Sequence, residues 1–139
     1  MSKECHTFEH TADIGLAAQA DTLPELFEAL AQGLADFLCP RELVEPTQTR
    51  EVSVVAEDHE ALAIDFLSAV LNVIQADHFM VAWVEATHAD ETSITAKLLG
   101  QPYDPARHQI HTEVKAVTYH LLKIEKTHDG WRGTVILDL

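Results

Sequence analysis

The stretch from Thr22 to Leu38, TLPELFEALAQGLADFL, determines the fold class of this chain. Its first four residues have the form of a capping box, in which Thr22 is the N-cap and the Glu25 side chain reaches back to it. Apolar residues then recur every three or four positions, and Pro40 ends the pattern. This spacing predicts a helix over residues 23–38.

Extended segments lie on both sides of this helix. Residues 3–9 and 14–20 are predicted to be two strands joined by a turn around residues 11–13. After the helix, residues 40–48 are predicted to be a loop. Residues 49–57, in which valines stand among polar residues, are predicted to be a third strand.

A second helix is predicted from the N-cap Asp58 to about Ala76. Apolar residues nearly surround it, whereas its polar residues step by three or four and share one stripe: Asp65, Ser68, Asn72 and Gln75. We therefore expect a mostly buried helix with one narrow solvated edge, on which Asp65 lies.

The remainder of the chain has the character of strands. Four strands are predicted, over residues 79–87, 93–99 (ended by Gly100), 113–126 and 131–139, with a proline-containing loop over residues 101–111. A Thr-His-Asp-Gly turn joins the last two strands into a hairpin. Residues 1–139 therefore predict a single compact α+β domain, with two helices packed on a mainly antiparallel sheet.

The composition fits one acidic domain. Of 139 residues, 47% are hydrophobic, and 23 acids against 9 Lys and Arg give a net charge of −14. Such a charge argues against direct nucleic-acid or anionic-membrane binding. The start of the chain lacks the apolar core of a signal peptide, and no apolar run approaches a membrane span, which predicts a cytoplasmic protein. Cys5 and Cys39 are interpreted as free thiols in a reducing compartment.

Two aspartates stand out because their surroundings do not explain them. Asp13 lies between two predicted strands, where an Asx turn is the ordinary explanation, and Asp138 lies among aliphatic residues, where fraying of the chain end is the alternative. If they converge, a hard cation such as Ca²⁺ or Mg²⁺ would relieve their repulsion. The terminal carboxylate of Leu139 would add oxygen donors. Asp65 is a third candidate, although a solvated helix face also explains it.

Other chemistry finds little support in the sequence. His120 stands mid-strand between apolar residues and is interpreted as a core or cleft histidine rather than a metal ligand. The sequence contains no HExxH, GxSxG, GxGxxG or phosphate-loop motif. From its residues alone, the chain is a small acidic α+β domain with a candidate metal site.

Several segments, in their order along the chain, resemble the archease family over nearly the whole sequence. They are HTADIG at residues 10–15 with the helix that follows, LAIDFL at 62–67, GQPYDPARH at 100–108, TEVKAVTYH at 112–120, and the closing Asp138-Leu139. Gln101 and Leu121 depart from the family pattern, which has an acid and a small or polar residue at these positions.

The resemblance implies a protein cofactor that activates an RtcB-type RNA ligase in tRNA splicing and RNA repair. Such a cofactor promotes guanylylation and multiple turnover of the ligase and is not itself an enzyme. Carried over, the metal ligands fall on Asp13, Asp138 and a main-chain oxygen of Leu139. They would bind Ca²⁺ or Mg²⁺/Mn²⁺, with Asp65 as an accessory. Lys115 and His120 match the signature strand and are assigned to a partner-facing surface.

Two alternatives stay open at this point. One is a metal-free adaptor or chaperone of an RNA-processing complex, whose carboxylates meet only partner cations. The other is a small metal-dependent hydrolase, in which His120 is the general base beside a metal ion held by Asp13 and Asp138. As a ligase activator, the chain is expected to be a monomer that docks transiently on a basic ligase surface.

Overall fold

The computed structural model describes residues 3–10, 13–110 and 112–139. Along the chain it contains β1 (Glu4–His10), β2 (Asp13–Ala20), α1 (Leu23–Leu38), β3 (Gln48–Val55), α2 (His59–Gln75), β4 (Phe79–Ala89), β5 (Ser93–Pro102), β6 (Ala116–Thr127) and β7 (Gly130–Asp138). A short 3-10 helix, Arg41–Leu43, lies within the predicted loop after α1. Of the predicted turn at residues 11–13, residues 11 and 12 lie outside the described part.

The strands form two antiparallel sheets, ordered β1-β2-β7-β6 and β3-β5-β4. Helix α1 contacts β1, β2 and β7 of the first sheet and β4 of the second, while α2 contacts β6 and all three strands of the second sheet. The helices therefore pack between the two sheets around one continuous core. The predicted α+β class, with two helices on antiparallel strands, is confirmed. The division into two sheets explains why α2 is apolar on nearly every side.

Local side-chain bonds set where both helices begin. The Glu25 amide donates to Thr22 Oγ1 at 3.3 Å, and the Thr22 hydroxyl donates to the Glu25 carboxylate at 2.9 Å. At α2, the Ala61 amide donates to the carboxylate of the N-cap Asp58 at 2.8 Å. These bonds satisfy amides that have no partner within the helix, so the predicted helix starts are confirmed. No helix in the described residues has the length and apolar character that crossing a bilayer requires.

Two polar side chains of α1 cover the free edge of the second sheet. Gln32, only 9% exposed, donates from Nε2 to the Ala82 carbonyl at 3.0 Å and accepts from the Val84 amide at 3.1 Å. Glu28 accepts from the Ala86 amide at 2.7 Å. An unpaired strand edge would otherwise bury backbone groups without partners, so α1 replaces the neighbouring strand that β4 lacks.

The predicted end of the fifth strand at Gly100 is wrong, since β5 continues to Pro102. Gly100 pairs with Val81, and a Cβ atom at this position would overlap the Met80 carbonyl oxygen. The glycine therefore allows β4 and β5 to approach closely rather than ending the strand.

Candidate functional site

Asp13 and Asp138 face each other across neighbouring strands. They are direct register partners in the antiparallel pair β2–β7, and both are half-buried. Leu137, beside Asp138, belongs to the core, so strand alternation directs the two aspartates to the sheet face away from the helices. Side chains directly opposite in such a pair have Cβ atoms about 5 Å apart. The structure thus places the two carboxylates together at one end of the sheet.

Residues of the neighbouring strands pair with the two aspartates on either side. On one side His10 of β1 pairs with Asp13, and on the other Ala116 of β6 pairs with Asp138. The Lys115 amide donates to the Asp138 carbonyl at 2.7 Å, which attaches the segment before β6 to the end of β7. The exposed Lys115 is therefore adjacent in the backbone network to the carboxylate pair.

A glutamine of α2, which the sequence analysis placed only on a solvated stripe, fixes this segment. Gln75 Nε2 donates to the Val114 carbonyl and Gln75 Oε1 accepts from the Val114 amide, both at 2.8 Å. The pair of bonds imitates a strand partner for Val114, whose side chain is 1% exposed. The position of Gln75 on the predicted polar stripe was the one sequence signal that distinguished it from the apolar remainder of the helix.

The other two predicted metal ligands differ in placement. Leu139 follows β7 directly, packs its side chain partly against the core, and leaves its main-chain oxygen next in sequence to Asp138. Asp65 is exposed on α2, within the helix layer, as the predicted polar stripe required. Across the described ranges, no three His, Cys, Asp or Glu residues group closely enough to hold a metal ion. The structure therefore does not bring Asp65 to the aspartate pair.

His120 does not lie in the core, so that part of its interpretation is wrong. His120 is exposed, within an irregular part of β6 between Thr118 and Lys123 where the pairing with β7 is interrupted. The expected burial assumed an unbroken strand, in which apolar neighbours would share its surroundings. The interruption instead exposes His120 together with Tyr119.

In the motif GQPYDPARH, the end of β5 and the turn that follows it surround a buried histidine. His108 is 3% exposed; its Nδ1 accepts from the Asp104 amide at 2.8 Å, and its Nε2 lies 3.0 Å from Gln101 Oε1. Because Nδ1 accepts, Nε2 carries the proton and donates to Gln101. Burial lowers the pKa of His108, and the nearby Asp104 raises it only in part. These residues hold a loop in place and are not poised for proton transfer to a ligand.

Neither cysteine has the character of a nucleophile. Cys5 and Cys39 are free thiols, and burial, aided by the charge of Asp36, raises the pKa of Cys5 to about 12. Burial likewise raises the pKa of Cys39. A thiolate is the reactive form, so both thiols are poor nucleophiles at neutral pH. The chemistry that the candidate site offers is that of oxygen donors, which suit a hard cation or cationic groups of a protein.

Comparison with known proteins gives a consistent result. The sequence profile of the archease protein family matches residues 6–139. "Protein archease" of Methanosarcina acetivorans is 38% identical over 144 residues, spanning 100% of this chain and 98% of that protein. The protein of the same name from Thermococcus kodakarensis is 40% identical over 137 residues, spanning 95% of this chain and 96% of that protein.

Solved structures share the same architecture. The solution structure of Methanobacterium thermoautotrophicum protein 1598 superposes with a TM-score of 0.79 at 29% identity, covering 99% of both chains. A crystal structure from Thermotoga maritima, described as an archease and possible chaperone, gives a TM-score of 0.61 at 24% identity, covering 95% of this chain and 94% of that one. The second likeness is one of fold alone.

Proposed function

Since this chain belongs to the archease family, we propose that it is a cytoplasmic protein cofactor that activates an RtcB-type RNA ligase in tRNA splicing and RNA repair. In this proposal it promotes guanylylation and multiple turnover of the ligase and carries out no ligation itself. The single observation that supports the proposal is the direct pairing of Asp13 with Asp138, which creates a carboxylate pair at one end of an otherwise well-packed sheet.

Repulsion between the two carboxylates lowers the stability of the folded chain unless another interaction offsets it. Like charges directly opposite each other on antiparallel strands are destabilising, and these strands could carry neutral residues at no cost to the core. Asp13 and Asp138 point away from the helices, so they contribute nothing to core packing. The pair of facing carboxylates is therefore a favourable place for a group that carries positive charge.

We further propose that the pair holds a divalent cation, Ca²⁺ or Mg²⁺/Mn²⁺. Two carboxylates and the main-chain oxygen of Leu139 form an all-oxygen donor set, which is the set that hard cations prefer. Three protein donors leave coordination positions for water or for groups of the ligase. The bound ion would neutralise the pair and add a positive charge where ligase and nucleotide phosphates can reach it.

Charge also favours a protein partner over direct RNA contact. A chain at −14 is repelled by phosphates but attracted to a basic ligase surface, which raises the rate of encounter. Lys115, joined to Asp138 through the main chain, and the exposed His120 would face the ligase beside the carboxylate pair. A monomer that docks briefly in this way could serve many ligase molecules in turn.

Charge-removal variants test the proposal directly. Asp13→Ala and Asp138→Ala should each abolish stimulation of multiple-turnover ligation by the RtcB-type ligase of the same organism, while the fold stays intact. Glu51→Ala removes an exposed carboxylate from β3 in the other sheet and is the matched control, which should stimulate normally. Asp65→Ala tests the accessory assignment and should reduce stimulation only if Asp65 approaches the ligase. Full stimulation by both Asp13→Ala and Asp138→Ala would refute the proposal.

Metal binding needs its own measurement because a metal-free adaptor is the second candidate. That candidate is favoured by the absence, within the described residues, of any three-side-chain metal cluster. Calorimetric titration of the chain alone with Ca²⁺, Mg²⁺ and Mn²⁺ separates the two. Binding that Asp138→Asn removes supports the cation site, whereas stimulation without any binding supports an adaptor whose carboxylates meet ligase cations.

A further inference from the structure

Strand β6 carries extra residues in the middle of its pairing with β7. Thr118 pairs with Ile136 and Lys123 with Thr134, so five steps along β6 face two steps along β7, and three residues are in excess. Residues 119–122, called here the β6 bulge, therefore leave the ladder. Because β6 is an edge strand of its sheet, the bulge projects from the side of the molecule.

The bulge contains a strained leucine. Leu121 has a φ of 55°, one of two positive values among non-glycine residues in the described part of the chain. This left-handed conformation brings Cβ too close to the backbone, so glycine or asparagine adopts it far more readily than leucine. A leucine here is a poor choice for folding alone.

Two side chains of the bulge, Tyr119 and Leu121, are largely apolar and exposed. Tyr119 is 62% exposed and Leu121 is 56% exposed, with the exposed His120 between them, while Leu122 packs partly against the core. Leu122 thus anchors the base of the bulge, and the other three side chains stand outward. Tyrosine and leucine this close together on the surface form an apolar patch.

Protection of an edge strand does not account for this composition. Bulges do block edge-to-edge pairing, but natural edges use lysine, proline or glycine for that purpose. Exposed tyrosine and strained leucine would instead invite association. The position is also continuous with the candidate site, because Thr118 pairs with Ile136, two residues before Asp138.

We propose that the β6 bulge is a docking knob, in which Tyr119 and Leu121 insert into an apolar pocket of a protein partner. The inference deepens the proposed function and rests on it, since the partner is the RtcB-type ligase that meets the carboxylate pair. A partner seated on the carboxylate pair would lie next to the bulge, because Thr118, which directly precedes the bulge, pairs with Ile136 two residues before Asp138.

The test measures affinity and stability in the same variants. Tyr119→Ser and Leu121→Gly are compared with Val55→Ser, which removes an 80% exposed side chain from the other sheet. Binding of the ligase without RNA should weaken about tenfold or more for each bulge variant, as for truncated anchor residues. Leu121→Gly should lose this affinity while its melting temperature stays equal or rises by up to about 4 °C, because glycine relieves the strain.

Each result of these binding measurements supports or overturns the proposed docking role of the bulge. Leu121→Gly and Tyr119→Ser with wild-type affinity for the ligase overturn the docking knob, and normal stimulation by the unmodified chain would then leave the proposed function standing. Loss of affinity only when substrate RNA is present also overturns it, because the bulge then contacts RNA. An unmodified chain that neither binds nor stimulates the ligase overturns both proposals.

Discussion

Replacing Gln75 by leucine removes the two 2.8 Å hydrogen bonds that hold Val114 against α2. A typical hydrogen bond contributes about 0.5–1.5 kcal/mol net, so the two together contribute about 1–3 kcal/mol. Gln75 is half-buried, and water can reach part of the freed backbone. We therefore expect the free energy of unfolding to fall by about 1–2 kcal/mol, in the lower part of that range.

The same change should reach the candidate site. The residue after Val114 is Lys115, whose amide donates to the Asp138 carbonyl at 2.7 Å. Loosening residue 114 loosens this attachment, so ligase stimulation should fall even though Gln75 touches neither aspartate in the proposed cation site. Urea unfolding gives the free energy, and native-state hydrogen exchange should show faster exchange of the Val114 amide.

Two further variants make the result specific. Asn72→Leu changes an exposed amide on the same polar stripe of α2, and it should shift stability by less than about 0.5 kcal/mol. Gln75→Glu keeps an acceptor for the Val114 amide but places a carboxylate oxygen against the Val114 carbonyl, so it should also lower the free energy of unfolding. Equal losses for Gln75→Leu and Asn72→Leu, with unchanged protection of the Val114 amide, would show that the two bonds do not hold this segment.

Three other changes probe how the fold supports the site. Gln32→Leu leaves the Ala82 carbonyl and Val84 amide without their buried partner, and should lower the free energy of urea unfolding by about 2–4 kcal/mol. Gly100→Ala places a Cβ atom against the Met80 carbonyl and should cost at least about 2 kcal/mol by the same assay, because the backbone at this close approach leaves no room for the added atom. Burial holds the pKa of His108 below its ordinary 6.5, so the unfolded chain takes up a proton that the native chain excludes. Stability should therefore decline as pH falls below about 6.5, and the difference between wild type and His108→Gln in unfolding midpoints between about pH 7.5 and 5 should isolate this contribution.

The helices were predictable because their signals are local. Thr22 and Asp58 precede apolar periodic stretches, and each N-cap bond closes within three residues of the chain. The turn at residues 127–130 is equally local, and the hairpin it joins was predicted for the same reason. Such features depend on spacing that is visible in the sequence.

The division into two sheets was not predictable from the same signals. Strand β3 pairs with β5 rather than with β4, which follows it next among the strands, and nothing within residues 48–55 encodes that choice. Gly100 was misread for a related reason, since only its distant partner Val81 reveals that the glycine serves close approach.

The candidate site also has some features that the sequence made predictable and others that it did not. The sequence singled out Asp13 and Asp138 as unusual acids and left their convergence as a condition, which the family resemblance then implied; the β2–β7 register brings them together. The exposure of His120 was missed because no glycine or asparagine marks the left-handed residue, which is Leu121. Sequence reasoning detects a conformation through the residues that favour it, so a strained residue conceals the bulge.

The register of β6 against β7 links the carboxylate pair to the β6 bulge. A shift of one residue would turn every side chain of β6 to the opposite face, separating Lys115 and the bulge from Asp138. Two side-chain bonds oppose such a shift: the Thr118 hydroxyl donates to the Ile136 carbonyl at 3.1 Å, and Gln75 fixes Val114 from α2. The main contribution of residues 112–118 is therefore to fix the register of β6 against β7. They hold the carboxylate pair, Lys115 and the β6 bulge in one fixed relation, and the proposed recognition by a ligase depends on this register.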